Sequence, residues 1–175
     1  MNIAVYLGSN PGRNPRYLKD AAAFGRMLAS KGHTLVYGGA NDGTMGELAR
    51  AVKAGGGTVI GVIPDFFAAR LFDGLDERHV VKTMAERRSK MIEKADGYIA
   101  FPGGPGTIEE ISEVISAVRI GLFKKPCVIY SPQGYYDYLE QQYDRMVEEG
   151  FLSAEERSRF TFVETLEEAA QVLGM

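Results

Sequence analysis

Ile3-Ala4-Val5-Tyr6-Leu7-Gly8-Ser9-Asn10, with the Asn14-Pro15 pair beyond it, decides the fold. The apolar run reads as a β-strand, and Gly8-Ser9-Asn10 as the turn that leaves it. Asn14 has the side chain of a helix N-cap. Pro15 suits the first helical position, because the N–H it lacks would be unpaired there anyway. The helix they open runs to Gly32, and Leu18, Ala21, Ala22, Gly25 and Leu28 repeat along it with the 3.6-residue period of a buried face. Strand, glycine turn and helix in that order point to a parallel α/β sheet.

The alternation continues down the chain. Thr34–Tyr37 reads as a second strand, then a glycine-rich turn and a helix over 44–54. Val59–Ile63 is a third strand, ended by Pro64. Residues 65–82 show no clear period: Asp73, Asp76 and Glu77 suggest a loop and His79–Val81 a short strand. A helix over 84–94, a strand over Tyr98–Phe101, a helix over 107–120 and a strand over Cys127–Tyr130 follow. Residues 135–149 form a long amphipathic helix, and Phe160–Val163 an edge strand. Thr165 and Glu168 make a capping box for a terminal helix. No repeat, low-complexity tract or linker interrupts the pattern. The expectation is one domain over residues 1–175, doubly wound, with a mostly parallel sheet flanked by helices.

Composition narrows the function by exclusion. The 175 residues carry a formal net charge of −3, which disfavours broad nucleic-acid or anionic-membrane binding but not a small anion at one local site. A single cysteine, Cys127, excludes an intrachain disulfide framework, and two histidines, His33 and His79, argue against a histidine-rich metal site. No basic leader precedes the first strand and no apolar run approaches the ~20 residues that span a bilayer, so a cytoplasmic location is expected.

Three strand-to-helix junctions are rich in small residues: Gly8-Ser9-Asn10, the run from Tyr37 through Gly38, Gly39, Ala40 and Gly43 to Gly46, and Pro102-Gly103-Gly104-Pro105-Gly106-Thr107. All fall at the carboxyl ends of strands, where open α/β sheets bind ligands. Glycine lets backbone approach an anion closely, and the following helix offers free N–H groups and the positive end of its dipole. Any one loop reads equally as a tight turn; three on one edge favour a phosphate site. The glycine spacing fits neither G-x-G-x-x-G nor a Walker A loop, which disfavours a dinucleotide oxidoreductase and a P-loop NTPase.

Two charged groups stand beside these loops. Glu110 lies three residues after Thr107, so the two form either a capping box or a turn that aims a carboxylate into the ligand cleft. Met84, Arg87, Arg88 and Met91 share a helical face, and arginines on a face with two methionines need an anionic or planar polar partner. That partner is either a ligand or one of the nearby carboxylates. Cys127 reads as an inert core thiol.

Pro102-Gly103-Gly104-Pro105-Gly106-Thr107-Ile108-Glu109-Glu110 resembles the P-G-G-x-G-T-x-x-E signature of the Lonely Guy family of cytokinin-activating phosphoribohydrolases. The likeness extends to Gly8-Ser9, Tyr37-Gly38-Gly39, Gly43, Met45-Gly46, Gly61-Val62-Ile63-Pro64 and Met84–Met91. It implies a Rossmann-like domain, a homodimer, and release of free base and ribose 5-phosphate from adenosine 5′-monophosphates, N6-modified or plain. By motif position, Arg87 and Glu110 are implied as catalytic. Gly103, Gly104, Gly106 and Thr107 are implied as the phosphate loop, with Gly8, Ser9 and Gly39 beside it. Met84, Arg88 and Ser116 are implied as further substrate contacts. No metal and no organic cofactor are expected, and the partner is a purine nucleoside monophosphate rather than a nucleic acid or membrane. The chain departs from the family at Arg88, where lysine is usual, and at Ala40, Thr44 and Leu7. A non-catalytic nucleotide or cofactor carrier is the alternative. A lysine decarboxylase is disfavoured, because Lys90, Lys94, Lys124 and Lys125 sit on polar faces or at a turn and none suits a Schiff base.

Overall fold

In a computed structural model describing residues 1–175, every strand pairs in parallel within one seven-stranded sheet. In chain order the strands are β1 (Asn2–Tyr6), β2 (Thr34–Tyr37), β3 (Val59–Pro64), β4 (Glu77–Val81), β5 (Gly97–Ala100), β6 (Cys127–Tyr130) and β7 (Thr161–Val163). Across the sheet they run β4-β3-β2-β1-β5-β6-β7. The winding therefore reverses at β1, whose two neighbours are β2 and β5. Such a reversal leaves a crevice at the carboxyl ends of the two central strands.

Helices cover both faces, which is why the central strands read as unbroken apolar runs rather than alternating ones. Ile3, Val5 and Leu7 point to one core, filled by α1 (Arg16–Ser30), α2 (Gly43–Ala54) and α7 (Leu166–Leu173). Ala4 and Tyr6 point to the other, under α3 (Met84–Lys94) and α4 (Pro105–Arg119). On that side α5 (Asp137–Glu148) packs Leu139, Tyr143 and Met146 against the core, and the single turn α6 (Ala154–Arg157) follows it.

The helix ends follow from named contacts. α1 begins at Arg16 with Pro15 (φ −63°) as its N-cap, one residue later than expected, and Asn14 Oδ1 accepts the Arg16 N–H at 3.0 Å. Thr165 and Glu168 complete the expected capping box, and Ser153 with Glu156 makes a second. Other boundaries differ. The fourth helix starts at Pro105 with Gly104 as its N-cap, so Thr107 lies inside the first turn and no Thr107–Glu110 capping box forms. Tyr135 belongs to a turn, because Gln133 (φ 56°) and Gly134 (φ 72°) break the chain before α5 begins at Asp137.

Residues 65–82 are ordered by their neighbours rather than by periodicity. A 3-10 turn spans Asp65–Arg70, Leu71 bridges antiparallel to Ala40, and the Phe72 N–H donates to the Gly39 carbonyl at 2.9 Å. β4 then lies on the sheet edge, where exposed side chains (Arg78, Val80) alternate with half-buried ones (Glu77, His79, Val81).

At Gly25 two opposing effects can be weighed. Alanine is favoured over glycine in a helix by about 1 kcal/mol. A Cβ on residue 25, however, would meet the Leu48 carbonyl oxygen of α2 at 2.7 Å and the Ala51 Cβ at 2.9 Å. Overpacking against backbone costs about 1–3 kcal/mol, and it wins. Gly25→Ala is expected to lower the thermal midpoint; a raised midpoint would mean that the α1–α2 contact is not tight.

Candidate active site

The three small-residue loops converge on the crevice beside β1 and β5. The Thr44 hydroxyl donates to the Gly8 carbonyl at 2.7 Å, and the Met45 N–H shares that acceptor at 3.3 Å, tying the second loop to the first. A Cβ added at Gly8 would stand 3.5 Å from the Gly103 Cα, so the first and third loops are in contact. Together they line a cleft of about 720 Å³, with the first turn of α4 as part of its wall. The dipole of a helix starting there favours an anion at the loop.

Glu110 and Arg87 meet at the base of this cleft. Glu110 projects from α4 and Arg87 from the first turn of α3, which Thr83 opens by accepting the Glu86 N–H at 3.1 Å. Arg87 Nη1 stands 2.8 Å from Glu110 Oε1, with side chains 13% and 7% exposed. Arg87 Nε donates to the Val62 carbonyl at 3.2 Å, fixing the guanidinium between β3 and α4. Gly38 makes room for it: a Cβ there would lie 1.9 Å from Arg87 Nη2. No N–H is aligned on Glu110 Oε1, which stays buried without a hydrogen bond. Burial raises the Glu110 pKa; Arg87 and Arg88 oppose that, while Glu109 and Glu113 add to it. The result is a carboxylate ready to accept a proton or meet positive charge.

The cleft is otherwise cationic. Its charged lining is Arg13, Arg70, Arg87 and Glu110, with Arg70 paired to Asp42 at 2.7 Å. One end is apolar, bounded by Ile63, Pro64, Phe67 and Met84. No cluster of His, Cys, Asp and Glu side chains is arranged to hold a metal ion.

Of the residues singled out in the sequence, Gly8, Ser9, Met84, Arg87, Gly103, Gly104, Gly106, Thr107 and Glu110 all line the cleft. Three do not. Arg88 points to the other side of Glu110's turn, where its Nη1 bonds Glu109 at 2.8 Å and its Nε bonds Glu113. It ties α3 to α4. Ser116 is exposed on the outer face of α4. Gly39 lies behind the wall, its added Cβ facing Ile63 at 3.2 Å. Conversely, Arg13, Tyr17, Phe67, Arg70 and Tyr135 line the cleft without having been singled out. Tyr135 had a signal: it follows a Gln133-Gly134 turn at the carboxyl end of a core strand, the same kind of position as the other loops.

Comparison with known proteins places the chain among named relatives. A family model described as "Possible lysine decarboxylase" matches residues 45–173. The chain is 42% identical over 171 residues to a cytokinin riboside 5′-monophosphate phosphoribohydrolase of Rhodococcoides fascians, covering 96% of this chain and 86% of that one. It is 40% identical to an Arabidopsis thaliana enzyme of the same name, over 86% of this chain and 70% of that one. Among solved structures it is similar to a molybdenum cofactor binding protein from Rippkaea orientalis (TM-score 0.74, 22% identity, 99% and 94% of the two chains). It is also similar to the molybdenum cofactor carrier protein of Chlamydomonas reinhardtii (TM-score 0.73, 22% identity, 99% and 98%). At that identity the two structures share the fold alone.

The raised pKa of Glu110 has a measurable consequence. Its folded state holds the proton more tightly than the unfolded chain, so the stability this contributes is full below the unfolded pKa. It is lost as pH rises through the raised folded pKa. The carbon-13 shift of the Glu110 carboxyl is expected to titrate above the ordinary glutamate value. A midpoint at or below that value would mean that the Arg87 charge outweighs burial.

Proposed function

The chain belongs to the Lonely Guy family of cytokinin riboside 5′-monophosphate phosphoribohydrolases, and we propose that it hydrolyses the N-glycosidic bond of adenosine 5′-monophosphates, N6-modified or plain. The observation that carries this reading is Glu110: a buried carboxylate paired with Arg87 but with no hydrogen bond aligned on Oε1, the only acidic side chain in a cleft otherwise lined by arginines and anion-binding loops.

In this mechanism the 5′-phosphate sits against Gly103–Thr107 and Gly8-Ser9, and its binding energy holds the ribose over Glu110. As the C1′–N9 bond lengthens, its electron pair leaves with the base and positive charge builds on the sugar. The Glu110 carboxylate stabilises that charge and takes a proton from the water whose oxygen bonds C1′. Arg87 holds Glu110 in place and offers N–H groups to the departing base. Its guanidinium keeps its proton, so the base is protonated from solvent. The apolar end at Ile63, Pro64, Phe67 and Met84 suits the base and a hydrocarbon N6 substituent.

A homodimer accompanies this reading. Ile111, Val114, Ile115 and Val118 of α4 are consumed by the chain's own core, whereas Ile120 and Leu122 just beyond it are 61% and 66% exposed. A second copy covering that end would bury them. Sedimentation is expected to give twice the 19.2 kDa chain mass, falling to one in Ile120→Asp/Leu122→Asp; a wild-type monomer would refute the dimer. A cytoplasmic location suits the free, buried thiol of Cys127.

The deciding assay follows free base and ribose 5-phosphate from AMP and from isopentenyladenosine monophosphate. Wild type should release base from at least one, and Glu110→Gln should lose about 10²–10⁴-fold in kcat. Full turnover in that variant would remove Glu110 from the chemistry. Tight nucleotide binding with no release would favour the carrier reading.

A further inference from the structure

The phosphate loop is held from behind by two adjacent tyrosines. The Tyr135 hydroxyl donates to the Gly103 carbonyl at 2.6 Å, and the Tyr136 hydroxyl to the Phe101 carbonyl at 2.8 Å. Between those acceptors lies Phe101-Pro102-Gly103, leading into Gly104, the N-cap of α4. Tyr136 is buried with the core, but Tyr135 is 40% exposed and lines the cleft. The peptide between Gly103 and Gly104 is flanked by residues without side chains, so its backbone has a wider range of orientations than any other pair of residues would allow. Because a trans peptide points its C=O and N–H in opposite directions, fixing the Gly103 carbonyl also fixes where the Gly104 N–H points.

Tyr135 is itself braced. Its ring packs edge-on against Tyr17 (5.6 Å, 78°) and Tyr136 (4.7 Å, 88°). The chain reaches it through Gln133, the one non-glycine residue with positive φ, at 56°. A left-handed non-glycine residue persists only where its surroundings impose it. Here Gln133 Oε1 accepts the Asn14 side-chain amide at 2.9 Å, and Asn14 Oδ1 in turn accepts the Arg16 N–H at the start of α1. The β6–α5 turn, the β1–α1 loop and the phosphate loop thus form one braced unit.

We infer that Tyr135 is a positioning residue, whose hydroxyl sets the orientation of the Gly103–Gly104 peptide and thereby tunes the site for a phosphate monoester. The inference rests on the proposed function for the identity of the anion. It predicts an effect confined to phosphorylated ligands, because a nucleoside makes no use of the loop.

The test compares wild type and Tyr135→Phe, a change that keeps the ring contacts and removes only the hydroxyl. Loss of one hydrogen bond should weaken binding of ribose 5-phosphate and AMP about three- to tenfold by calorimetry. KM for AMP should rise by the same factor while kcat holds to within about twofold, and adenosine binding should not change. Unchanged AMP affinity, or an equal loss for adenosine, would overturn the inference while leaving wild-type hydrolysis intact. If wild type binds AMP but does not cleave it, the hydrolase reading fails and the binding comparison still decides the role of Tyr135. No binding of either phosphorylated ligand by wild type would overturn both.

Discussion

Between β1 and β5 the sheet changes its direction of winding, and the functional geometry depends on the gap this leaves. A loop leaving a parallel strand normally folds over the neighbouring strand. At a reversal the two loops part to opposite sides, and the carboxyl edge stays open. The first loop leaves β1, the third leaves β5, and the second closes one side through the bonds from Thr44 and Met45 to the Gly8 carbonyl. Glycines occur where these loops touch one another or a side chain, as at Gly8 against Gly103 and Gly38 against Arg87.

The charges beneath that opening follow from burial. A carboxylate taken out of water on its own is strongly unfavourable, and an arginine 2.8 Å away offsets part of the cost. Removing one member of such a pair typically costs about 3–5 kcal/mol, so Arg87 and Glu110 stabilise each other even without a ligand. The unbonded Oε1 is the part of that balance left incomplete. The Arg88 pairs are different in kind. Glu109 is 57% exposed, and ion pairs at that exposure contribute about 0–1 kcal/mol. They orient α3 on α4 more than they stabilise the fold.

The positions outside the cleft lining have physical explanations. Ser116 lies six residues after Glu110, and six steps of about 100° turn it well away from Glu110's face. Arg88 shares a helical period with Arg87, but period alone does not say on which side of α4 a side chain ends. The Thr107–Glu110 box failed because Pro105 can open a helix and Gly104 can cap it, which moves the helix start two residues earlier. Residues 65–82 were opaque because β4 is an edge strand and the 3-10 turn before it is held by contacts to residues 39–42, distant in sequence.

The sequence by itself determined the alternation of strands and helices, the parallel sheet, the three loops on one edge and an arginine-bearing helix that needs an anionic or planar polar partner. Those features are written in local terms: apolar period, caps, and glycine at turns. Tertiary structure alone decided which arginine faces the cleft, that Glu110 is buried against Arg87 with no hydrogen bond aligned on Oε1, and that Tyr135 reaches the Gly103 carbonyl from 32 residues away. Each of these depends on how two elements cross, and a crossing is fixed by the packing of both faces together rather than by either stretch of sequence.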